Sequence, residues 1–357
     1  MTVNSVSSST LSTILQNAVT REHKQLTTLE TENSTGLLAD IGLTLGASSG
    51  QDISLHQQYA DLNGFSASNA IVTSQLETSY NAATTLQQSA STMLSQVIEG
   101  LSSTPSSTGS AAIQQVAASA LQSFVTTANS EVSDVYVFGG INTGIEPINS
   151  SAASSTGAAQ TAAQSAFSNY LTSIGATAAT ITGAQMTTFL TSTSLPASQS
   201  FTSQFSGTDW STNWSNASAT AQTSRIGLND TITTSVTTNN TAFQSLAQGL
   251  TMLNQFANMN LSSSAYTALM QQAQSVMTAA SNDLTDVGAT IGTMQSAVKQ
   301  ANSNISLQQD TLNTQINASE AVNPYQAATQ LTNLTNQLQV AYSLTAQIQK
   351  LSLVNFL

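Results

Sequence analysis

The sequence has no cysteine, and only 5 basic residues, 4 prolines, 2 histidines and 2 tryptophans in 357 positions. Each shortage removes a class of chemistry. Without Cys there is no disulfide, no zinc–thiolate centre and no thiol nucleophile. Arg21, Lys24, Arg225, Lys299 and Lys350 are the whole basic set, so no cationic surface can be built for a phosphate backbone. The net charge of -12 opposes anionic lipid as well. Neither a nucleic-acid partner nor membrane insertion is expected. No apolar run approaches transmembrane length. Met1 to Thr10 has neither the basic start nor the apolar middle of a signal peptide. If the protein is secreted, a route that cleaves no such peptide is expected.

What is present is a polar chain of Ser, Thr, Ala, Asn and Gln in which the apolar residues keep a period. Such a composition without a period reads as disorder. Here the spacing is three and four over long stretches, the stripe of an amphipathic helix. A first helix near Val6 to Thr35 carries Leu11, Ile14, Leu15, Ala18, Leu26 and Leu29, and Gly36 stops it. A loop with Gly42, Gly46 and Gly50 follows. The second helix, from about Ser66 to Leu101, carries Leu76, Tyr80, Ala83, Leu86, Ala90, Met93, Val97 and Leu101. Pro105 breaks it, and a third helix carries Ile113, Val116, Ala120, Phe124 and Val125.

Val135 to Phe138 is a β-type run closed by Gly139-Gly140. The pattern then degrades as far as Arg225, in a part that holds both Trp210 and Trp214. Thr231 to Thr238 is a further candidate strand. Helices resume with Phe243, Leu246, Leu250, Leu253 and Phe256. A very long helix follows, about Ser264 to Ala318, whose seam runs from Leu269 through Ala273, Val276, Ala280, Leu284, Val287, Ile291, Met294, Val298, Ala301 and Ile305 to Leu312. Recurrence every seven residues over that length is a coiled-coil signal. Its flanks are mostly Gln, Asn, Ser and Thr, so specificity has to come from shape, with Gly288 and Gly292 expected to let helices approach closely. Enlarging Ala280 and Ala301 is expected to block assembly. Asn323-Pro324 restarts a last helix with an N-cap and a first-turn proline. Its stripe is Leu331, Leu334, Leu338, Ala341, Ile348 and Leu351, and the apolar tail to Leu357 has nothing in its own segment to cover it.

The expected fold is therefore mainly α, an elongated antiparallel helical bundle or coiled coil formed by N- and C-terminal arms, with a small mixed or β insertion in the middle. The expected divisions are 1–50 as an N-terminal assembly helix and loop, 51–141 and 241–320 as the two halves of the bundle, 142–240 as the variable middle, and 321–357 as the C-terminal assembly helix. The expected assembly interface is Leu11, Ile14, Leu15, Ala18, Leu26, Leu29, Leu331, Leu334, Leu338, Ala341, Ile348 and Leu351.

Several segments resemble bacterial flagellins. Leu26 to Gly36, "LTTLETENSTG", is similar to the end of the family's N-terminal helix. Val135 to Thr143, "VYVFGGINT", resembles its Phe-Gly-Gly turn. Ser224 to Phe243 resembles the lead into its C-terminal half, and Asn323 to Leu357 its terminal helix with a Leu-Ser-Leu tail. Within the family the similarity is greatest to the hook-associated protein 3 branch, the hook–filament junction proteins, in their alphaproteobacterial form. Residues 149–220 carry little of it, and the loop after Gly36 lacks the family's usual Ser-Pro-Ser-Asp-Asp-Pro type of sequence. The resemblance implies a secreted structural subunit of the extracellular flagellum that serves motility. It also implies type III export, an export chaperone, and polymerisation with copies of itself, flagellin and other hook-associated subunits. Filament flagellin is the alternative.

No constellation for catalysis or for a cofactor is found, and neither is expected. His23 lies among Arg21, Glu22 and Lys24 and reads as a solvated or intersubunit position. His56 has Asp52 and Asp61 nearby, but a loop or helix-surface position is the simpler reading, and no metal is expected. Gly139-Gly140 reads as a structural turn. Trp210 and Trp214 read as a small core, with a glycan platform of a secreted adhesin as the rival.

Overall fold

A computed structural model describes the backbone of residues 8–102 and 106–354, with side chains described for residues 10, 13–102 and 106–347. In chain order the helices are α1 (Ser8–Thr35), α2 (Ile41–Leu45), α3 (Ser49–Ser102), α4 (Ser107–Ala128), α5 (Ala158–Ile174), α6 (Gly183–Thr191), α7 (Gly207–Asn213), α8 (Thr241–Phe256), α9 (Ser263–Glu320) and α10 (Pro324–Val354). Four short strands, β1 (Glu131–Val132), β2 (Val135–Tyr136), β3 (Thr223–Arg225) and β4 (Thr231–Thr233), pair as two antiparallel hairpins, β1 with β2 and β3 with β4. The fold is mainly α, as the apolar period requires. The chain divides into two compact units, one of residues 1–64 and 306–357, the other of residues 65–305.

The unit of residues 65–305 is built around the heptad seams. On α9, Leu269, Ala273, Ala280, Leu284, Val287, Ile291, Val298, Ala301 and Ile305 are all buried, while Met294 and, farther along the helix, Leu312, both expected in the seam, are only half-buried. On α3 the buried series is Leu76, Ser79, Ala83, Leu86, Ala90, Met93 and Val97, which alternates threes and fours without a break. Tyr80, expected in that seam, is instead 42% exposed, because Ser79 holds the three-four position and turns its hydroxyl back to the Gln75 carbonyl at 2.8 Å. A Cβ on Gly288 would sit 3.9 Å from the Tyr80 ring, and one on Gly292 would meet nothing. These glycines leave a groove beside Tyr80 where close approach was expected. Ala280 and Ala301 belong to the chain's own core, so enlarging them would disturb this unit before any assembly step.

Between the helices lies a mixed region that is more helical than its composition suggests. Its core is aromatic. Phe189 meets Phe167, Tyr170, Phe201 and Phe256 with ring centroids 5.0 to 5.8 Å apart. Trp210 and Trp214 stack at 5.5 Å and 12° with both side chains buried, and the Trp210 indole donates to Asn239 Oδ1 at 3.0 Å. Two side chains buried this far present no surface platform to a glycan. Gly139-Gly140 is a turn that Cβ atoms would destroy. One on Gly139 would lie 2.5 Å from the Asn142 oxygen, and one on Gly140, where φ is +62°, would lie 2.4 Å from the Thr220 oxygen.

The second unit is formed by α1, α2, α10, the first part of α3 and the last part of α9. Helix α3 begins at Ser49, well before the expected Ser66. Its added turns bury only Asp52, Leu55 and Leu62, too sparse a stripe to reveal a helix among Gly50, Gly64 and polar residues. The remaining boundaries follow their caps. Gly36 ends α1 with φ +73°, and the Asp40 carboxylate accepts from the Leu43 amide at 2.9 Å. Asn323 Oδ1 accepts from the Tyr325 and Gln326 amides at 3.1 and 3.3 Å and starts α10. Throughout the helices, Thr and Ser hydroxyls donate to the carbonyl four residues back, as Thr20 does to Gln16 and Thr329 to Tyr325. A helix surface nearly free of charge thus satisfies its own hydroxyls locally.

Candidate assembly interface

Helices α1 and α10 pack against each other in antiparallel directions. The turn after α1 meets the start of α10 through an antiparallel bridge between Leu37 and Ala321, with the Val322 amide donating to the Gly36 carbonyl at 2.9 Å. Farther along both helices His23 hydrogen-bonds the Tyr342 hydroxyl, and the rings lie edge to face at 6.0 Å. His23 is therefore paired within its own chain, on an exposed face.

The expected interface residues differ in burial. Leu29, Leu334 and Leu338 are buried, while Leu15, Ala18, Leu26, Leu331 and Ala341 are half-buried. Ile14 is 55% exposed. The side chains of Leu11, Ile348 and Leu351 lie outside the described residues. Periodicity did not mark Val340 and Leu344 of α10 or Tyr325 at its first turn, yet all three are exposed, Tyr325 to 86%. They lie off the stripe that α10 turns to α1, where a search for one apolar face per helix does not look. Two paired helices can cover one stripe each, and here both carry apolar residues beyond it.

His56 and Asp52, one turn apart on α3, come together with Glu320, the last residue of α9. Asp61, the other acid expected near His56, is exposed. Tyr136 beside the β1–β2 turn has its phenol pKa raised above 10.0, by desolvation first and then by the charges of Glu131 and Glu146. No helix among the described residues is long and apolar enough to cross a membrane.

The class the fold defines is a mainly α protein whose first and last long helices pair around a thin core and leave apolar residues exposed. The particular family follows from sequence. The family model for the bacterial flagellin N-terminal helical region matches residues 6–143, and that for the bacterial flagellin C-terminal helical region matches residues 274–357. The chain belongs to the bacterial flagellin family and is a structural subunit of the flagellum. No curated protein sequence matches it. Among solved structures, a protein from Vibrio parahaemolyticus described as a flagellar hook-associated protein shares the fold, with a TM-score of 0.51 at 9% identity over 76% of this chain and 97% of that one.

Proposed function

We propose that this chain is a hook–filament junction subunit of the hook-associated protein 3 type, exported through the flagellar type III apparatus with a chaperone. In this reading it polymerises through α1 and α10, contacting copies of itself and, on its two sides, flagellin and other hook-associated subunits. Residues 1–50 and 321–357 are the assembly region, 51–141 and 241–320 the helical body, and 142–240 the variable part. The contact residues are those of the α1–α10 stripes, from Leu11 to Leu29 and from Leu331 to Leu351, joined by Val340 and Leu344. The observation that carries the reading is the exposure of Ile14, Val340 and Leu344 on helices whose own pairing buries only part of their apolar surface. Head-to-tail contact between such surfaces gives open helical polymers.

Filament flagellin shares these arms. The junction reading is favoured by the resemblance of the segment from Asn323 to Leu357, and by a fold shared with a protein described as hook-associated. Deleting the gene separates the two. Loss of a junction subunit leaves hooks without filaments and flagellin monomers in the medium. Filaments that persist, only shorter or weaker, would assign the chain to the filament. Immunogold labelling of intact flagella then locates the protein at a single band above the hook or along the shaft.

A further inference from the structure

One cluster of chemistry-bearing side chains is not used by assembly. Asp52 and His56 sit four residues apart in the first turns of α3 and so share one helix face. Glu320 reaches them from the C-terminal end of α9, 264 residues away in sequence. The main chain fixes it there: the Glu320 carbonyl accepts from the Leu38 amide at 2.8 Å, and the next residue, Ala321, bridges to Leu37. His56 Nε2 lies 2.8 Å from Glu320 Oε1 and 3.8 Å from Asp52 Oδ2, and one ligand atom from each residue falls within 4.8 Å of the others.

The charges in this cluster do not balance. Asp52 is 3% and Glu320 7% exposed, two carboxylates out of water beside one imidazole. Among the described residues no Lys or Arg pairs with either. A protonated His56 would supply one positive charge for two negative ones. Asp52 Oδ1 is also buried without a hydrogen-bond partner, a costly state for a carboxylate oxygen. A divalent cation removes both deficits, supplying two charges and a partner for the Asp52 carboxylate.

We propose that Asp52, His56 and Glu320 form a site for a divalent transition-metal cation of the Zn²⁺ type. One imidazole nitrogen with two carboxylate oxygens suits zinc and its neighbours, and the nitrogen disfavours Mg²⁺ and Ca²⁺. A tetrahedral ion about 2.0–2.2 Å from each ligand holds those atoms roughly 3.3 Å apart. The two distances from His56, 2.8 and 3.8 Å, bracket that value, and the Asp52 and Glu320 ligand atoms lie within 4.8 Å of each other, so side-chain rotations are what would close the site. The His56 side chain is half exposed, which gives the ion its entry and leaves a fourth position to water. The bound ion pins the start of α3 to the end of α9 inside the unit that carries the terminal helices.

The test is calorimetric titration of Zn²⁺ into the full chain after chelator treatment and dialysis, with Co²⁺ absorption as a second readout. The expected result is one saturable site per chain and an intense visible Co²⁺ band of four- or five-coordinate geometry. His56→Gln and Glu320→Gln should each weaken binding by at least roughly tenfold, the loss seen even when an outer partner of a metal ligand is removed. His23→Gln should leave it unchanged. Zinc should raise the unfolding temperature of the wild type and not of His56→Gln. Circular dichroism checks that each variant keeps its helices, and the wild-type Co²⁺ spectrum needs no variant. Absence of saturable binding, a Co²⁺ spectrum like that of the aqueous ion, or unchanged affinity in a folded His56→Gln would each overturn the site. Because the readout is metal binding by the monomer, its outcome is independent of where the protein sits on the flagellum.

Discussion

In the unit of residues 65–305, Phe189 touches four other aromatic rings, and one continuous cluster of buried side chains runs from Val72 to Ala301. No described residue of the other unit belongs to that cluster. There, the ring contact among the described residues is the exposed pair of His23 and Tyr342, and the buried apolar set thins to residues such as Leu29, Leu55, Leu62, Ile316, Leu334 and Leu338. The difference lies in how each unit meets the cost of ordering its chain. Fixing a residue costs about 1–2 kcal/mol of backbone entropy, which only burial can offset. The first unit buries enough in its own chain. The second leaves Ile14, Val340 and Leu344 in water, and in the proposed function it is a polymer that covers them.

The largest effect should come from the well-packed unit. Phe189→Ala removes the ring at the centre of the aromatic cluster and should cost about 3–5 kcal/mol, because its close-packed neighbours cannot collapse into the space. Trp210 and Trp214, the only tryptophans, both lie in this unit, so fluorescence in a urea titration reads its stability directly. A loss under ~1 kcal/mol would mean that the cluster is looser than its ring geometry indicates.

A smaller effect on the monomer, with a larger one on assembly, should follow from Leu334→Ala combined with Leu338→Ala. These leucines face a thin core whose half-buried neighbours can close over the gap, so each should cost about 2 kcal/mol or less in the monomer, the lower end of such truncations. The tryptophan transition should not move. Polymer formation, measured by sedimentation, should be lost. Polymers at wild-type yield would show that α10 is an internal brace with no role between subunits.

The same contrast explains what could be read from sequence. Helix α9 was legible almost residue by residue, because a heptad buried along one chain leaves a strict record. The start of α3 was not. Its buried positions between Ser49 and Gly64 are two leucines and an aspartate, and an aspartate does not register in an apolar count. Pattern also placed Tyr80 in a seam that Ser79 occupies, since a hydroxyl that bonds its own helix behaves as a small core residue. The stripes on which α1 and α10 pair were visible, but the exposed Val340 and Leu344 were not. They lie outside the intrachain stripe, and one sequence records which residues are apolar without recording which chain covers them. Asp52 and His56 stood close enough to suggest each other, while Glu320 reaches them only through tertiary structure.

The smallest expected effect separates the units by pH. The Tyr170 hydroxyl, 4% exposed and donating to the Gln185 carbonyl at 3.0 Å, has its pKa raised above 10.0 by burial, partly offset by a hydrogen bond to Thr188. A raised phenol pKa means that the folded chain keeps a proton the unfolded chain has lost. The resulting stability is whole below pH ~10 and falls as pH rises through the folded value. Tyr170→Phe should cost about 1 kcal/mol at neutral pH for the lost hydrogen bond. It should also flatten the alkaline fall in the tryptophan-monitored transition. Tyr342→Phe, on a half-exposed residue of the other unit, should leave the midpoint and slope of that transition unchanged. If it shifted them as Tyr170→Phe does, the two units would unfold as one and the contrast between them would be structural only.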